Sequence, residues 1–222
     1  MDKPVRMLRV AALQIAILVT VAGCRDAMAP IADAPATSAF LAAAPGASAI
    51  PMLRQAPSAP ALETYQVSFW ARSDRASTVI VNYQPDAGQT TGAPFLRFDV
   101  PKDALRGRHH GHGPHDDHGA RDSVLITLTI DPTDFTVDFQ PSGVVFSKRH
   151  PATLAIWYGN ANPDLNSDGA VDETDRALTE QLAIWVRQAR PAPWFRLMSE
   201  TVTGEQWVFT AVPHFSDYAV SW

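Results

Sequence analysis

Alternation of apolar and polar residues runs through most of the chain after residue 63, and it limits the possible folds more than any other feature. In STVIVNY, residues 77–83, the side chains of Val79, Val81 and Tyr83 lie on one side of an extended segment. Successive side chains of a strand point to opposite faces, so such a segment buries one face. The same period recurs in YQVSFWA, FLRFDV, SVLITLTI, FTVDF and ATLAIWY. Short strands separated by Pro, Gly, Asp and Asn predict a mainly β protein, an antiparallel β-sandwich over residues 63–222.

The start of the chain has the features of an export signal. A basic beginning with Lys3, Arg6 and Arg9 precedes the thirteen-residue apolar run VAALQIAILVTVA. About twenty residues are needed to cross a bilayer, so this run has the length of a secretory signal. It ends in VAGC, which resembles the bacterial lipobox. The resemblance implies a lipoprotein signal peptide over residues 1–23 and acylation of Cys24, which would attach the protein to a lipid membrane. An ordinary signal peptide with a coincidental cysteine is the alternative.

Cysteine usage and the next residues bear on location. Cys24 is the single cysteine, so no disulfide forms within the chain and no thiol is left for catalysis. Arg25 follows it where an aspartate would favour retention in the inner membrane. Similarity to lipoprotein sorting rules therefore implies the outer membrane of a bacterial cell envelope, with the periplasmic or surface side left open. Residues 24–62 are rich in alanine and proline and predict a disordered tether.

Three segments carry a family resemblance. FLRFDVPKDAL, SVLITLTI and FQPSGVVFSKRHPATLAIWYGN follow a pattern similar to that of the β-sandwich domain of netrin receptors, ankyrins and tight-junction scaffolds. The C-terminal HFSDYAVSW resembles the closing strand of bacterial relatives of that domain, several of which are lipoproteins. The resemblance implies an interaction module with an unidentified protein partner rather than an enzyme.

An acidic segment, NPDLNSDGAVDETD, interrupts the strand pattern. It places five carboxylates within twelve positions of a chain whose formal net charge is −5. Alternate oxygen-bearing residues in a tight loop can surround calcium, which takes six to eight hard oxygen ligands. A glycine, Gly169, stands at the sixth position, where the backbone of such loops turns sharply. The predicted calcium ligands are Asp164, Asn166, Asp168, Ala170 (through its carbonyl), Asp172 and Asp175.

The loop also resembles bacterial dockerin repeats, which share the DLNxDG start and an aspartate at the last ligand position. A complete dockerin has two such repeats, whereas this chain carries one. Apolar residues at three- and four-residue steps predict a helix over residues 173–190, before Pro191. Residues 162–190 are thus predicted to be a calcium-loop-plus-helix insert in the sandwich. The alternative is an Asp/Asn/Gly turn without metal.

A histidine-rich segment, residues 108–119, lies between two predicted strands. Neutral imidazoles suit zinc, nickel or copper, but a glycine-rich loop provides no preformed geometry, so a solvated loop is the preferred interpretation. The candidate transition-metal ligands are His109, His110, His112, His115 and His118.

Several function classes lack support in the sequence. No nucleophile elbow, zinc-protease motif or phosphate-binding loop occurs, and the serine, histidine and aspartate of HFSD point to opposite faces of a strand. A pI of about 5.7 argues against nucleic acid. We therefore expect a non-catalytic, lipid-anchored interaction or envelope module with one structural calcium. The alternatives are a periplasmic hydrolase of unrecognised type and a transition-metal-binding protein that uses the histidine-rich loop.

Overall fold

Alternating segments become strands throughout the part of the chain that the structure describes. The computed structural model describes residues 50–105, 123–188 and 191–222. These residues form eleven strands and one helix. The elements are β1 (Gln66–Arg72), β2 (Ser77–Asn82), β3 (Pro94–Val100), β4 (Ser123–Asp131), β5 (Thr136–Gln140), β6 (Ala152–Trp157), α1 (Glu173–Thr179), β7 (Ala183–Arg187), β8 (Phe195–Arg196), β9 (Ser199–Val202), β10 (Trp207–Val212) and β11 (Asp217–Ser221).

The strands form two antiparallel sheets. One sheet has the order β1-β4-β5-β11-β7-β8, and the other has the order β2-β3-β6-β10-β9. Every pairing within them is antiparallel. The predicted class, a mainly β protein built as an antiparallel β-sandwich, is confirmed.

Aromatic rings from both sheets meet in the core. Phe98 of β3 and Phe139 of β5 are fully buried, with ring centroids 4.8 Å apart at an interplanar angle of 60°. Phe215, just before β11, stacks on Phe139 at 5.5 Å, and Phe146 meets Phe215 edge-on at 5.1 Å. Edge-to-face and offset contacts of this kind stabilise a core beyond the area they bury. The inward face predicted for the first quoted segment is confirmed, with Val79, Val81 and Tyr83 all buried, whereas Tyr65 at the start of YQVSFWA is exposed.

The helix is much shorter than the predicted one over residues 173–190. It ends at Thr179, and Ala183–Arg187 forms strand β7 between β11 and β8. Ile184 and Val186 are buried there, and their β-branched side chains favour an extended backbone. The apolar residues of this segment fit both the helical and the strand periodicity, and pairing with the distant β11 makes the segment a strand. The inserted element therefore ends before β7 rather than at residue 190.

Residues 50–62 form a second departure from the sequence prediction, which placed them in a disordered tether. We call them the strap. Leu53 and Leu62 are each only 1% exposed and belong to the sandwich core. The Leu53 amide donates to the Val220 carbonyl at 2.9 Å, and Leu62 forms a β-bridge with Tyr83. The folded unit thus begins earlier than residue 63, and the two leucines are the reason.

Several sequence predictions lie outside the described residues. They are the signal peptide, the acylated Cys24, the tether as far as residue 49, and the five candidate histidines of residues 108–119. Within the residues that the structure does describe, no helix has both the length and the apolar character that crossing a membrane requires.

Candidate metal centre

The acidic loop lies between the end of β6 and the start of α1. Its backbone makes two left-handed excursions, at Ser167 with φ of 60° and at Gly169 with φ of 90°. Nothing lies within 4 Å of the position that a Cβ would take at Gly169. Glycine is therefore favoured at this position by the backbone angle and not by lack of space. This is the sharp turn that the sequence predicts at the sixth loop position.

Asp164 closes the first half of the loop. Its Oδ1 accepts a hydrogen bond from the Asp168 amide at 3.1 Å, and its Oδ2 accepts one from the Gly169 amide at 2.9 Å. Asn166 contributes to the same turn, because its Oδ1 accepts from the Asp168 amide at 3.0 Å. Aspartate and asparagine side chains stabilise turns in this way by bonding backbone N–H groups a few residues ahead. The chain is therefore wound around the Asp164 carboxylate.

Asp168 has two contacts within the loop. Its Oδ1 accepts from the Ala170 amide at 2.9 Å, and its Oδ2 accepts from the Asn166 side-chain amide at 2.7 Å. The side-chain amide of Asn166 can turn either its nitrogen or its oxygen toward the Asp168 carboxylate, and the hydrogen bonds of the loop decide which. A cation bound in the loop would favour the orientation that presents the oxygen to the cation.

Asp175 joins the start of the loop to the helix. It is 3% exposed, and its Oδ1 accepts from the Leu165 amide at 2.7 Å and the Asn166 amide at 3.3 Å. Its Oδ2 accepts from the Asp172 amide at 3.0 Å. Hydrogen bonds from these amides, that of Asp172 above all, hold the pKa of Asp175 below its ordinary value of 3.8, although burial acts in the opposite direction.

Asp172 begins the helix. Its Oδ1 accepts from the Thr174 amide at 2.7 Å, and together with Asp175 it forms a capping box. Such a box satisfies amide groups that the first turn of a helix leaves without an internal partner. Glu173 and Asp175 also place negative charge at this end, which the helix dipole favours. Local capping chemistry therefore explains why a helix starts here even without a metal.

Charge in the loop is poorly balanced within the described part of the chain. Glu173 pairs with Arg176, and both side chains are exposed. Asp164, Asp168, Asp172 and Asp175 form no ion pair with any described Lys, Arg or His. The cavity beside the loop, of about 460 Å³, is lined by both Arg54 of the strap and Asp164, but the two do not form an ion pair. Four carboxylates thus have backbone hydrogen bonds and no described cationic partner.

The residue types of the loop fit calcium, because carboxylate, amide and carbonyl oxygens are its preferred ligands. The arrangement described does not itself gather them around one point. Among the described residues, no three His, Cys, Asp or Glu side chains come close enough together to hold a metal ion. The six predicted ligands therefore share one loop, with the carboxylates of four of them turned toward backbone amides.

The strap borders this loop, a contact for which the sequence contains no signal. The Asn162 amide donates to the Arg54 carbonyl at 2.7 Å, and the Ala56 amide donates to the Asn160 carbonyl at 2.9 Å. Burial raises the pKa of Tyr83, behind this junction, to about 12, with the side chains of Gln55 and Asn160 acting in the opposite direction. The two backbone hydrogen bonds each join residues more than one hundred positions apart, so the pattern of neighbouring residues does not predict them.

The serine, histidine and aspartate of HFSD have other partners. Ser216 Oγ donates to the Arg187 carbonyl at 2.9 Å, and Asp217 Oδ2 lies 2.8 Å from a guanidinium nitrogen of Arg187. His214 Nδ1 lies 3.4 Å from the Phe215 carbonyl oxygen. The three side chains do not form a catalytic triad in this arrangement.

Comparisons with family models, with curated proteins and with solved structures return no match for this chain. The resemblances to the netrin-receptor-type sandwich and to the dockerin loop stay predictions.

Proposed function

We propose that this chain is an exported lipoprotein of the bacterial envelope, anchored through Cys24, whose sandwich is a non-catalytic interaction or envelope module with one structural calcium. The observation that carries the calcium site is the set of four aspartates, Asp164, Asp168, Asp172 and Asp175, with no described cationic partner. Like charges on one short loop repel one another, and a divalent cation among them would remove that cost. The lipid anchor rests on the VAGC motif of the sequence.

Calcium would supply structural stability rather than chemistry. When bound, it would draw its ligands from Asp164, Asn166, Asp168, the Ala170 carbonyl, Asp172 and Asp175. Asp175 already ties the first half of the loop to the first turn of α1. The chain's own residues would thus hold the first half of the loop against the start of the helix, and the ion would make that connection more rigid.

Thermal melting with calcium and with a chelator tests the site. A cation that binds only the folded protein must raise the melting temperature. We expect calcium to stabilise the unaltered protein and to lose this effect in Asp168→Ala. Asp86→Ala is the matched control, because Asp86 is an exposed aspartate outside the loop and should leave the calcium response intact. A chelator that changes neither the melting curve nor amide exchange of residues 164–175 would overturn the proposal.

Membrane attachment needs a separate test, because it depends on different residues. Cells that express the full chain are fed an alkyne-bearing fatty acid and fractionated. We expect the label on the protein and the protein in the outer-membrane fraction, with both lost in Cys24→Ser. Persistent anchoring requires two or more acyl chains. An exported protein that carries no label would indicate an ordinary signal peptide instead.

A further inference from the structure

A groove with an apolar lining opens at a different place from the acidic loop. It has a volume of about 520 Å³. Its floor includes Phe146, Leu197 and Val212, which are all buried, and its rim includes Val145 and Met198. Val145 is 51% exposed and Met198 is 79% exposed. We call this feature the Met198 groove.

Backbone pairing holds the walls of the groove in place. Val145 forms an antiparallel bridge with His214, and the Phe146 amide donates to the Pro213 carbonyl at 3.0 Å. On the other wall, the Thr210 hydroxyl donates to the Met198 carbonyl at 2.9 Å. The exposed methionine is therefore fixed at its backbone while its flexible thioether side chain stays free to adapt. Methionine in such positions accommodates apolar ligands of varied shape.

Two polar groups of the groove lack a partner among the described residues. His214 Nε2 is enclosed from solvent and makes no hydrogen bond there. Buried polar atoms without a partner are uncommon in proteins and require an explanation. Lys148 lines the same groove, is exposed and forms no ion pair with any described carboxylate. One ammonium group and one unsatisfied imidazole nitrogen thus stand beside an apolar surface.

This combination selects the chemistry of the ligand. A groove of this volume falls within the usual range of small-molecule sites, which are mostly apolar with a few polar groups for orientation. The positive charge of Lys148 is complementary to an anionic head group. The contact between His214 Nδ1 and the Phe215 carbonyl oxygen is long, at 3.4 Å. The neutral imidazole tautomer with its hydrogen on Nε2 would present a donor there, and an anionic oxygen would satisfy it.

We propose that the Met198 groove binds a single-chain anionic amphiphile of the fatty acid class. Its carboxylate would lie between Lys148 and His214, and its chain would lie along Val145, Leu197 and Met198. The inference uses neither the acidic loop nor Cys24, so it stands apart from the proposed calcium site and anchor.

Displacement of a dansyl-labelled undecanoic acid tests the proposal. The full chain carrying Cys24→Ser is used, so that no acyl group of its own competes for the groove. Decanoate, dodecanoate, dodecanol and dodecyltrimethylammonium are compared as competitors at concentrations below micelle formation. Each buried methylene contributes roughly fourfold in affinity, so dodecanoate, with two more methylenes, should bind roughly fifteenfold more tightly than decanoate. Dodecanol and the ammonium amphiphile should bind at least about fivefold more weakly than dodecanoate, since an ion pair is absent or replaced by repulsion.

Two variants separate the chain from the head group. Met198→Glu places a carboxylate at the rim and should weaken dodecanoate at least about tenfold. Lys148→Glu should weaken dodecanoate but leave dodecanol unchanged. Ile80→Glu is the matched control, because Ile80 is 53% exposed, lies on β2 and does not line the groove. All three positions are exposed, so melting temperatures near that of the parent chain establish that each variant folds.

Four results would overturn the proposal. The first is the absence of displacement by any competitor, and the second is equal displacement by dodecanoate, dodecanol and the ammonium amphiphile. The third is a dimer in solution that Met198→Glu dissociates while the probe does not bind, because the groove would then be an interface between copies. The fourth is binding of the probe only after deletion of residues 108–119, because that segment of the chain would then be the occupant.

Discussion

The strap and the acidic loop lie against each other but are held by different forces. The strap inserts Leu53 and Leu62 into the core and adds a few backbone hydrogen bonds. The loop buries Asp175 and otherwise relies on carboxylates that accept from nearby amides. Apolar burial involves no charge that salt can screen or pH can titrate, whereas a cluster of carboxylates responds to both. Two neighbouring segments should therefore respond to different perturbations.

The largest effect is expected in the strap. Leu53→Ala removes a side chain that is 1% exposed and leaves a cavity in the sandwich core. Substitutions of this kind destabilise by about 2–5 kcal/mol. Urea unfolding measures the change. Ser58→Ala, at an exposed strap position, should stay within about 0.5 kcal/mol of the parent chain. Equal, small effects of both substitutions would mean that the strap does not belong to the cooperative unit.

A smaller effect is expected from the loop backbone. Gly169→Ala imposes a side chain on a residue with φ of 90°, and left-handed geometry costs about 1–2 kcal/mol for an alanine. Gly204 offers a matched control, because a Cβ would meet open space at both glycines but Gly204 has no left-handed φ. Gly204→Ala should change the free energy of unfolding by less than about 0.5 kcal/mol. Similar losses at both positions would show that the loop turn is not the cause.

The pH response should distinguish the two segments more sharply. The pKa of Asp175 is lower in the folded state than in the unfolded state. Its contribution to folding stability is therefore fully present above the unfolded-state pKa, near 3.8, and is lost as pH falls through the folded-state pKa. Melting temperatures measured between neutral pH and pH about 2 should fall steeply below pH about 4. Asp175→Asn should make that fall shallower, while Leu53→Ala should lower the whole curve without changing its slope.

Salt provides the control for this experiment. The pKa of Asp74 is lowered by its hydrogen bond with Arg72, an exposed pair with an N–O distance of 2.9 Å. Asp74→Asn should make the dependence of melting temperature on pH shallower at low salt, and this effect should shrink in 1 M salt, where the Debye length is about 3 Å. The corresponding effect of Asp175→Asn should persist in 1 M salt, because backbone amides hold that carboxylate. Loss of both effects in salt would contradict the hydrogen-bond explanation.

The separation along the chain between contacting residues explains which features could be predicted from the sequence. Alternation fixes which face of a strand is buried, and the loop turn depends on residues at most a few positions apart, so Gly169 and the capping by Asp172 follow from local chemistry. Pairing of β7 with β11 joins residues about thirty-five positions apart, and the strap meets Val220 across most of the chain. The local pattern identifies neither partner, so it predicts a helix for residues 183–187 and a tether for the strap.

The smallest effect is expected at the exposed ion pair of α1, Glu173 with Arg176. Exposed pairs three residues apart on a helix contribute about 0.5 kcal/mol or less, because water screens the charges and two long side chains lose freedom. A double-mutant cycle with Glu173→Gln and Arg176→Gln, measured by urea unfolding at low salt, gives the coupling energy. The value bears directly on the calcium proposal. A coupling well above about 1 kcal/mol would mean that Arg176 already compensates the loop's negative charge, and the four aspartates would no longer require a divalent ion.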